Sequence, residues 1–208
     1  MSLYQKFGKR LVNILIALLG LLSLSPIFLL ITILIKITSQ GPVIFKQKRA
    51  GQNGKPFIFY KFRTMVQNAE KLKEKYHKLN EADGPVFKIK DDPRFTKIGK
   101  ILSHTGLDEF PQFLNILKGE INLVGPRPFP INEELKVPKK YQQKRRKTKP
   151  GIVSSWLVNG AHNLSFDQWM KLDLKDIKNS NFIYDLKILL KTTKLVFRLI
   201  KRELKKKS

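Results

Sequence analysis

Gly106-Leu107-Asp108-Glu109-Phe110-Pro111-Gln112-Phe113-Leu114-Asn115-Ile116-Leu117-Lys118-Gly119-Glu120-Ile121-Asn122-Leu123-Val124-Gly125-Pro126-Arg127-Pro128 concentrates most of the chain's chemical signals. Two adjacent carboxylates, Asp108 and Glu109, open it. Phe110, Phe113, Leu114 and Leu117 follow at helical spacing, which predicts a short amphipathic helix directly behind the acids. Asp108 stands where an N-cap belongs, and Pro111 is tolerable in a first turn. Lys118-Gly119 is a stop signal, a cation in the last turn followed by a residue that accepts left-handed geometry. Ile121, Leu123 and Val124 read as a short buried strand running into Gly125-Pro126-Arg127-Pro128. Prolines on both sides stiffen the backbone at Arg127, so its guanidinium can grip phosphate at little ordering cost. Residue types alone leave two readings open. Asp108 and Glu109 are either a helix cap with a first-turn charge or reactive carboxylates, and Arg127 is either a surface arginine or a phosphate ligand.

The whole composition narrows the partners. The 208 residues suit one domain with a real core. Lys and Arg number 41 against 16 Asp and Glu, a net charge of +25 that calls for an anionic partner: nucleic acid, anionic lipid or phosphorylated substrate. There is no cysteine, which excludes disulfides, thiolate metal sites and cysteine nucleophiles. His77, His104 and His162 show no metal-ligand spacing. No Walker-type phosphate loop and no dinucleotide-binding glycine fingerprint occurs.

Leu11 to Ile35 carries no charge and consists almost wholly of aliphatic residues and Phe, a run of about 25 residues and therefore of membrane-span length. It lacks a signal-peptide cleavage site. Ser25-Pro26 falls in its middle, where proline removes a helical hydrogen bond and bends the axis. Lys6, Lys9 and Arg10 precede the run, and Lys36, Lys46, Lys48 and Arg49 follow it. Both ends therefore favour the cytoplasmic side. A bent helix that enters and leaves one leaflet satisfies both, whereas a kinked single-pass anchor satisfies one. This divides the chain into a membrane helix at 1–38 and a membrane-associated domain at 39–208.

Val43 to Arg49 and Phe57 to Met65 largely alternate, separated by the turn Gly51-Gln52-Asn53-Gly54, which predicts a hairpin. At period two Lys61 and Arg63 share a face, either a paired cationic grip or a solvated strand face. Ala69, Leu72, Tyr76 and Leu79 predict an amphipathic helix, and Asp91-Asp92-Pro93-Arg94 a turn. Gln142 to Lys149 is a basic run, either solvated or facing anionic headgroups. Trp156, Phe166 and Trp169 suit a core or a membrane interface. A last helix over about Phe182 to Leu204 carries an apolar stripe flanked by lysines, suited to an interface or to packing on the core. Lys205-Lys206-Lys207 reads as a frayed tail.

Taken together these segments resemble the monotopic phosphoglycosyl transferases, bacterial sugar transferases that prime glycan assembly on a polyprenyl phosphate. The matching segments are Lys9-Arg10, Ser25-Pro26, Gly41-Pro42-Val43-Ile44-Phe45, Tyr60-Lys61-Phe62-Arg63-Thr64-Met65, Asp92-Pro93-Arg94-Phe95-Thr96, Leu107-Asp108-Glu109-Phe110-Pro111-Gln112 and Val124-Gly125-Pro126-Arg127-Pro128, then Lys149-Pro150-Gly151-Ile152 and Asp185-Leu186-Lys187-Ile188-Leu189. The resemblance implies an α+β monotopic membrane protein with a re-entrant helix kinked at Ser25-Pro26, interfacial amphipathic helices and a small β-hairpin. It implies that Asp108 attacks the sugar-bearing phosphorus of a nucleoside diphosphate sugar, of UDP type, through a covalent phosphosugar-aspartate. Undecaprenyl or a related polyprenyl phosphate then takes over the sugar phosphate. Glu109 would hold Mg2+, while Lys61, Arg63 and Arg127 would offset phosphate charge. The location implied is the cytoplasmic face of a bacterial inner membrane, with membrane lipids and no nucleic acid as partners. With Met1 just ahead of the hydrophobic run, the chain reads as the minimal catalytic unit.

The chain departs from this pattern in places. Asn13 replaces a usual aspartate, Leu157 follows Trp156 where glutamine is commoner, and Ser103 replaces a frequent arginine, which leaves open whether His104 or Lys100 substitutes in that phosphate contact. A catalytically degenerate relative, or a basic membrane-bound adaptor without activity, is the competing expectation.

Overall fold

The computed structural model describes residues 3–205 as an α+β fold of many short helices and two two-stranded sheets. Lys206 and Lys207 of the expected tail lie outside the described residues. A π-helical turn, Tyr4–Gly8, leads into α1 (Lys9–Ser23), and α2 (Ser25–Thr38) follows at an angle of 61°. Pro26 lacks the N–H that would reach the Leu22 carbonyl, and the Ser25 hydroxyl donates to that carbonyl instead, at 2.8 Å. The serine thus fills the vacancy the proline creates at the Leu22 carbonyl. Among the described residues no single helix is long and apolar enough to cross a membrane, although the bent pair together passes that test by length and composition. Leu11, Leu15, Leu19, Leu22, Leu29, Leu30 and Ile37 all stay exposed on this pair.

The hairpin is present as β1 (Ile44–Ala50) and β2 (Pro56–Phe62), paired antiparallel with Lys48 opposite Ile58. Asn53 takes positive φ (56°) in the connecting turn, a conformation asparagine tolerates. Beyond it the expected helix over 69–79 does not form. Tight turns and a 3₁₀ helix at Glu74–Leu79 stand there instead. Leu72 and Tyr76 are only half-buried and Leu79 is exposed, so nothing offers the stripe the packing that a short helix requires.

Next, α3 (Lys97–Thr105) is capped by the Thr96 side chain, which accepts from Gly99 N. A Cβ on Gly99 would lie 1.8 Å from the Thr64 carbonyl oxygen, so only glycine lets this helix seat against the end of β2. Gly106 ends α3 in left-handed geometry (φ 77°). A 3₁₀ helix, Leu107–Gln112, then leads into α4 (Phe113–Leu117) and β3 (Asn122–Val124). The remainder comprises α5 (Ile131–Glu134), α6 (Lys139–Arg145), β4 (Gly151–Val153, parallel to β3), α7 (Ser155–Val158), α8 (Phe166–Asn179) and α9 (Phe182–Lys205).

Three buried clusters hold the fold together. Ala17, Phe57, Phe59, Ile116, Ile121 and Ile188 join α1, the hairpin, α4 and α9. Trp156, Trp169, Phe129 and Met170 form a second cluster, in which the two indoles stack 4.0 Å apart, so the tryptophans are core residues. Ile31, Ile35, Phe62 and Leu102 tie α2 to α3. The apolar stripe of α9 faces outward instead, with Phe182, Leu186, Leu190, Phe197 and Leu204 exposed and Ile188 and Thr192 turned inward.

Asn115, fully buried, closes the free edge of β2 as a third strand would. Its Oδ1 accepts from Tyr60 N (3.2 Å), and its Nδ2 donates to Ile58 O and to Glu120 Oε2 (2.6 Å each). Asn115→Ala leaves these buried partners unmatched, at about 1–3 kcal/mol for each lost contact. A loss of ~3 kcal/mol in stability, or about 6–12 °C in Tm, is expected by thermal denaturation. A shift under 2 °C would contradict this role.

Candidate active site

Gly106 and Pro111 shape the segment that carries the acids. The glycine breaks α3, and proline, with no N–H and with a ring that crowds the preceding turn, disfavours α geometry just after it. Asp108 and Glu109 therefore sit within a 3₁₀ turn, not at an α-helix N-cap as the pattern suggested, and Gly106 holds the cap position. That turn packs against β2, which brings Lys61 beside the acids.

Asp108 is buried, with the Lys61 ammonium 3.9 Å from its Oδ2. Arg127 Nη2 donates to Glu109 Oε1 in a short ion pair. The two carboxyls respond differently. Burial pushes Asp108 up to about 6, with the Glu109 charge adding to it and Lys61 and Arg127 opposing. Burial also works against the Glu109 charge, but Arg127, with help from Arg49 and Lys61, more than offsets it and holds Glu109 below the usual range. One carboxylate is thus ion-paired with an arginine, and the other faces a lysine at longer range.

The turn bearing Arg127 is pinned at every carbonyl. Gly151 N donates to Pro126 O (2.9 Å), Arg145 Nη2 to Arg127 O (2.6 Å) and Arg49 Nη1 to Pro128 O (3.0 Å). Arg145 is itself held by Asp173 Oδ2 (2.9 Å) and Glu134 Oε2 (3.5 Å). The basic run 142–149 is therefore not simply solvated or headgroup-facing, because Arg145 is one of the most deeply buried charges in the chain. Burial and the Arg127 charge together bring Arg49 down to about 9. Arg49 and Lys88, which also lies within electrostatic reach of both acids, are site neighbours that no motif marked. Only pairing across the hairpin and folding of the loop ahead of α3 bring them in.

Arg63 does not join Lys61. Regular strand pairing ends at Phe62, so the alternation that put both residues on one face stops short of it. Its guanidinium turns to the carbonyls of Ser39 (2.9 Å) and Gln40, just past the end of α2. Arg10 acts likewise on α4, donating to Ile116 O and to Leu117 O (2.8 Å). Lys9 pairs with Asp185 Oδ2 at 2.9 Å. Asn13 joins its Nδ2 to Asn122 Oδ1 (2.8 Å) and accepts from Leu123 N (3.2 Å). Lys9, Arg10 and Asn13 therefore clamp the hydrophobic helix to the elements around the acids, and Phe110 meets Phe28 of α2 with 5.7 Å between ring centroids. In the place of the frequent arginine, neither Lys100 nor His104 pairs with the acids: Lys100 binds Asp91 (2.7 Å), and His104 lies 3.7 Å from both Asp91 and Glu203.

Among the described residues no group of three or more His, Asp or Glu could cage a metal. The donor set here is two adjacent carboxylates, one of them partly engaged. It fits a magnesium ion held mainly by substrate phosphates and water, not one enclosed by protein. An open groove of about 660 Å3 along β1, lined by Phe45, Lys46, Lys48, Glu70, Ile131 and Leu135, does not include the acids.

Adjacent carboxylates, one buried and one half-buried, with cations near them on a fold led by a bent apolar helix pair, agree with the comparisons to known proteins. A family model described as bacterial sugar transferase matches residues 4–199. The galactosyl transferase CpsE of Streptococcus agalactiae is 42% identical over 91% of this chain and 42% of its own length. The exopolysaccharide production protein ExoY of Sinorhizobium fredii is 35% identical over 89% of this chain and 83% of its own. The UDP-glucose:undecaprenyl-phosphate glucose-1-phosphate transferase of Escherichia coli is 36% identical over 88% and 39%. The chain belongs to the bacterial sugar transferases, a phosphoglycosyl transferase family, and is a transferase. It spans about two fifths of CpsE and of the Escherichia coli relative, and most of ExoY.

Proposed function

We propose that this chain transfers a sugar-1-phosphate from a UDP-sugar to undecaprenyl phosphate through a covalent phosphosugar on Asp108. The observation that carries this reading is the split between the acids, one ion-paired with Arg127 and the other buried with the Lys61 ammonium 3.9 Å away. An Asp108 carboxylate oxygen forms a bond to the sugar-bearing phosphorus, and the phosphoanhydride bond to the nucleotide breaks, releasing UMP. A phosphate oxygen of the lipid then bonds to the same phosphorus, the aspartyl–phosphorus bond breaks, and the carboxylate is restored. Arg127, aimed by its pinned turn, and Lys61 offset charge on the transferring phosphoryl group. Glu109 would hold Mg2+, which supplies neutralisation of the diphosphate when bound. The sugar phosphates carried by relatives of the family support the substrate class.

The exposed leucines of α1 and α2 and the outward stripe of α9 favour a chain seated in one leaflet, on the cytoplasmic face of the inner membrane. Because the chain has no cysteine, Lys6→Cys and Gln40→Cys are single, specific labels. Both should react with a membrane-impermeant thiol reagent from the cytoplasmic side only. Opposite sidedness would replace the re-entrant arrangement with a span. For the chemistry, protein in lipid nanodiscs with Mg2+, undecaprenyl phosphate and a panel of UDP-sugars should release UMP. Stopped without lipid acceptor, it should gain a hexose-phosphate mass on the Asp108 peptide. No release with any sugar would reject the transferase assignment, and release without the adduct would reject the covalent route.

A further inference from the structure

The loop ahead of α3 carries a cation for which the reading above has no use. Lys88 is exposed, and among the described residues no carboxylate lies within ion-pair distance of its ammonium. Its Nζ stands 5.6 Å over the Trp156 ring, within electrostatic reach of Asp108, Glu109, Arg127 and Lys61. The loop that presents it is built. Lys88 N donates to Asn80 Oδ1 (2.7 Å), Glu81 N to Lys88 O (2.8 Å) and Lys90 N to Glu81 Oε2 (3.0 Å). Val86 is buried in the cluster with Trp156 and Trp169, and Asp83 accepts from Phe166 N (2.8 Å). The lysine is therefore aimed by an anchored segment.

Four cations, Arg49, Lys61, Lys88 and Arg127, gather near Asp108 and Glu109, and with Glu133 beside Arg49 counted as a third carboxylate the cations are still in excess. Like charges brought together this way destabilise one another, and a folded chain keeps them only when an anion returns the energy. Arg127 pairs with Glu109, Lys61 faces Asp108, and Arg49 donates to a backbone carbonyl. Among the described residues Lys88 is the one of the four whose charged end has neither an ion pair nor a hydrogen bond.

We infer that Lys88 is a phosphate-binding residue of this site, its ammonium contacting a substrate phosphate oxygen. Its environment agrees, since burial by the surrounding protein and the Arg127 charge bring it down to about 8 even though the side chain keeps solvent contact. A bound phosphate would hold it protonated at neutral pH.

This rests on the proposed phosphosugar transfer, and the test separates the two. In Asp108→Asn protein in nanodiscs, which cannot turn over, equilibrium binding of UDP-glucose, UMP and undecaprenyl phosphate is measured with Lys88→Met, Lys88→Arg and Lys90→Met added singly. Lys90 is an exposed lysine on the same loop and controls for the general loss of charge. Lys88→Met is expected to raise Kd about tenfold or more for one class of ligand. Lys88→Arg should stay within about threefold, and Lys90→Met should change nothing. Weakened UDP-glucose and UMP binding assigns the contact to the nucleotide sugar, and weakened undecaprenyl phosphate binding assigns it to the lipid phosphate. The same ligand should protect Lys88 of the unsubstituted chain from acetic anhydride, read by peptide mass, which needs no variant to fold. Equal binding by Lys88→Met and Lys90→Met, or labelling of Lys88 unaffected by every ligand, overturns the inference. If the unsubstituted chain transfers sugar phosphate while Lys88→Met binds normally, only this inference falls.

Discussion

Asp108→Asn is expected to abolish transfer and at the same time to make the folded chain more stable. Loss of the attacking oxygen removes the covalent route, and kcat should fall by ~10⁴-fold or more. The stability change follows from burial. In the folded chain the carboxyl is raised from 3.8 to about 6, so its protonated form is favoured there. That preference stabilises the fold fully below the unfolded value of 3.8 and is lost as pH rises through about 6. Above pH 6, therefore, the native chain carries an unfavourable buried charge that asparagine lacks. In EDTA at pH 8 the variant should gain up to about 3 kcal/mol, seen as a higher Tm, and the gain should vanish near pH 4. A Tm equal to or below that of the native chain at pH 8 would show that Lys61 stabilises the charged form more than burial penalises it.

Arg127→Met is the second large effect. It removes the guanidinium that the pinned Pro126-Arg127-Pro128 turn presents and leaves the half-buried Glu109 without its partner. Deleting one preorganised donor at a charge-developing centre lowers kcat by about 10²–10³-fold. Arg127→Lys should recover only part of this, because an ammonium cannot reproduce the planar fork. UMP release under saturating substrates measures both variants, and an Arg127→Met kcat within threefold of the native value would remove Arg127 from the mechanism.

These expectations trace to residues whose roles were legible to different degrees. The acid pair, the prolines around Arg127, the Ser25-Pro26 break and the hairpin turn are local features. Each is dictated by the bonding of one or two residues, and each stands where the pattern put it, apart from the shift of Asp108 from an N-cap into a 3₁₀ turn. The missing helix at 69–79 shows the other side, since a stripe becomes a helix only where something packs on it. Arg63 and Arg145 were misread for a related reason. A charge is an ordinary solvated group in a pattern, but it becomes structural where carbonyls or carboxylates meet it from far along the chain.

The order of residues alone determined the chemistry on offer: a carboxylate pair, a stiff arginine turn, an apolar run long enough for a membrane, and the family those motifs mark. Tertiary structure alone decided that Arg49 and Lys88 join Lys61 and Arg127 near the acids and that Arg63 does not. Lys61, Arg49, Lys88 and Arg127 come from four segments, and only hairpin pairing, the Asn115 bridge and the buried Arg145 network bring them together. The physical reason is that electrostatic partnership depends on distance and burial in space, and neither is written in the spacing of residues along a chain.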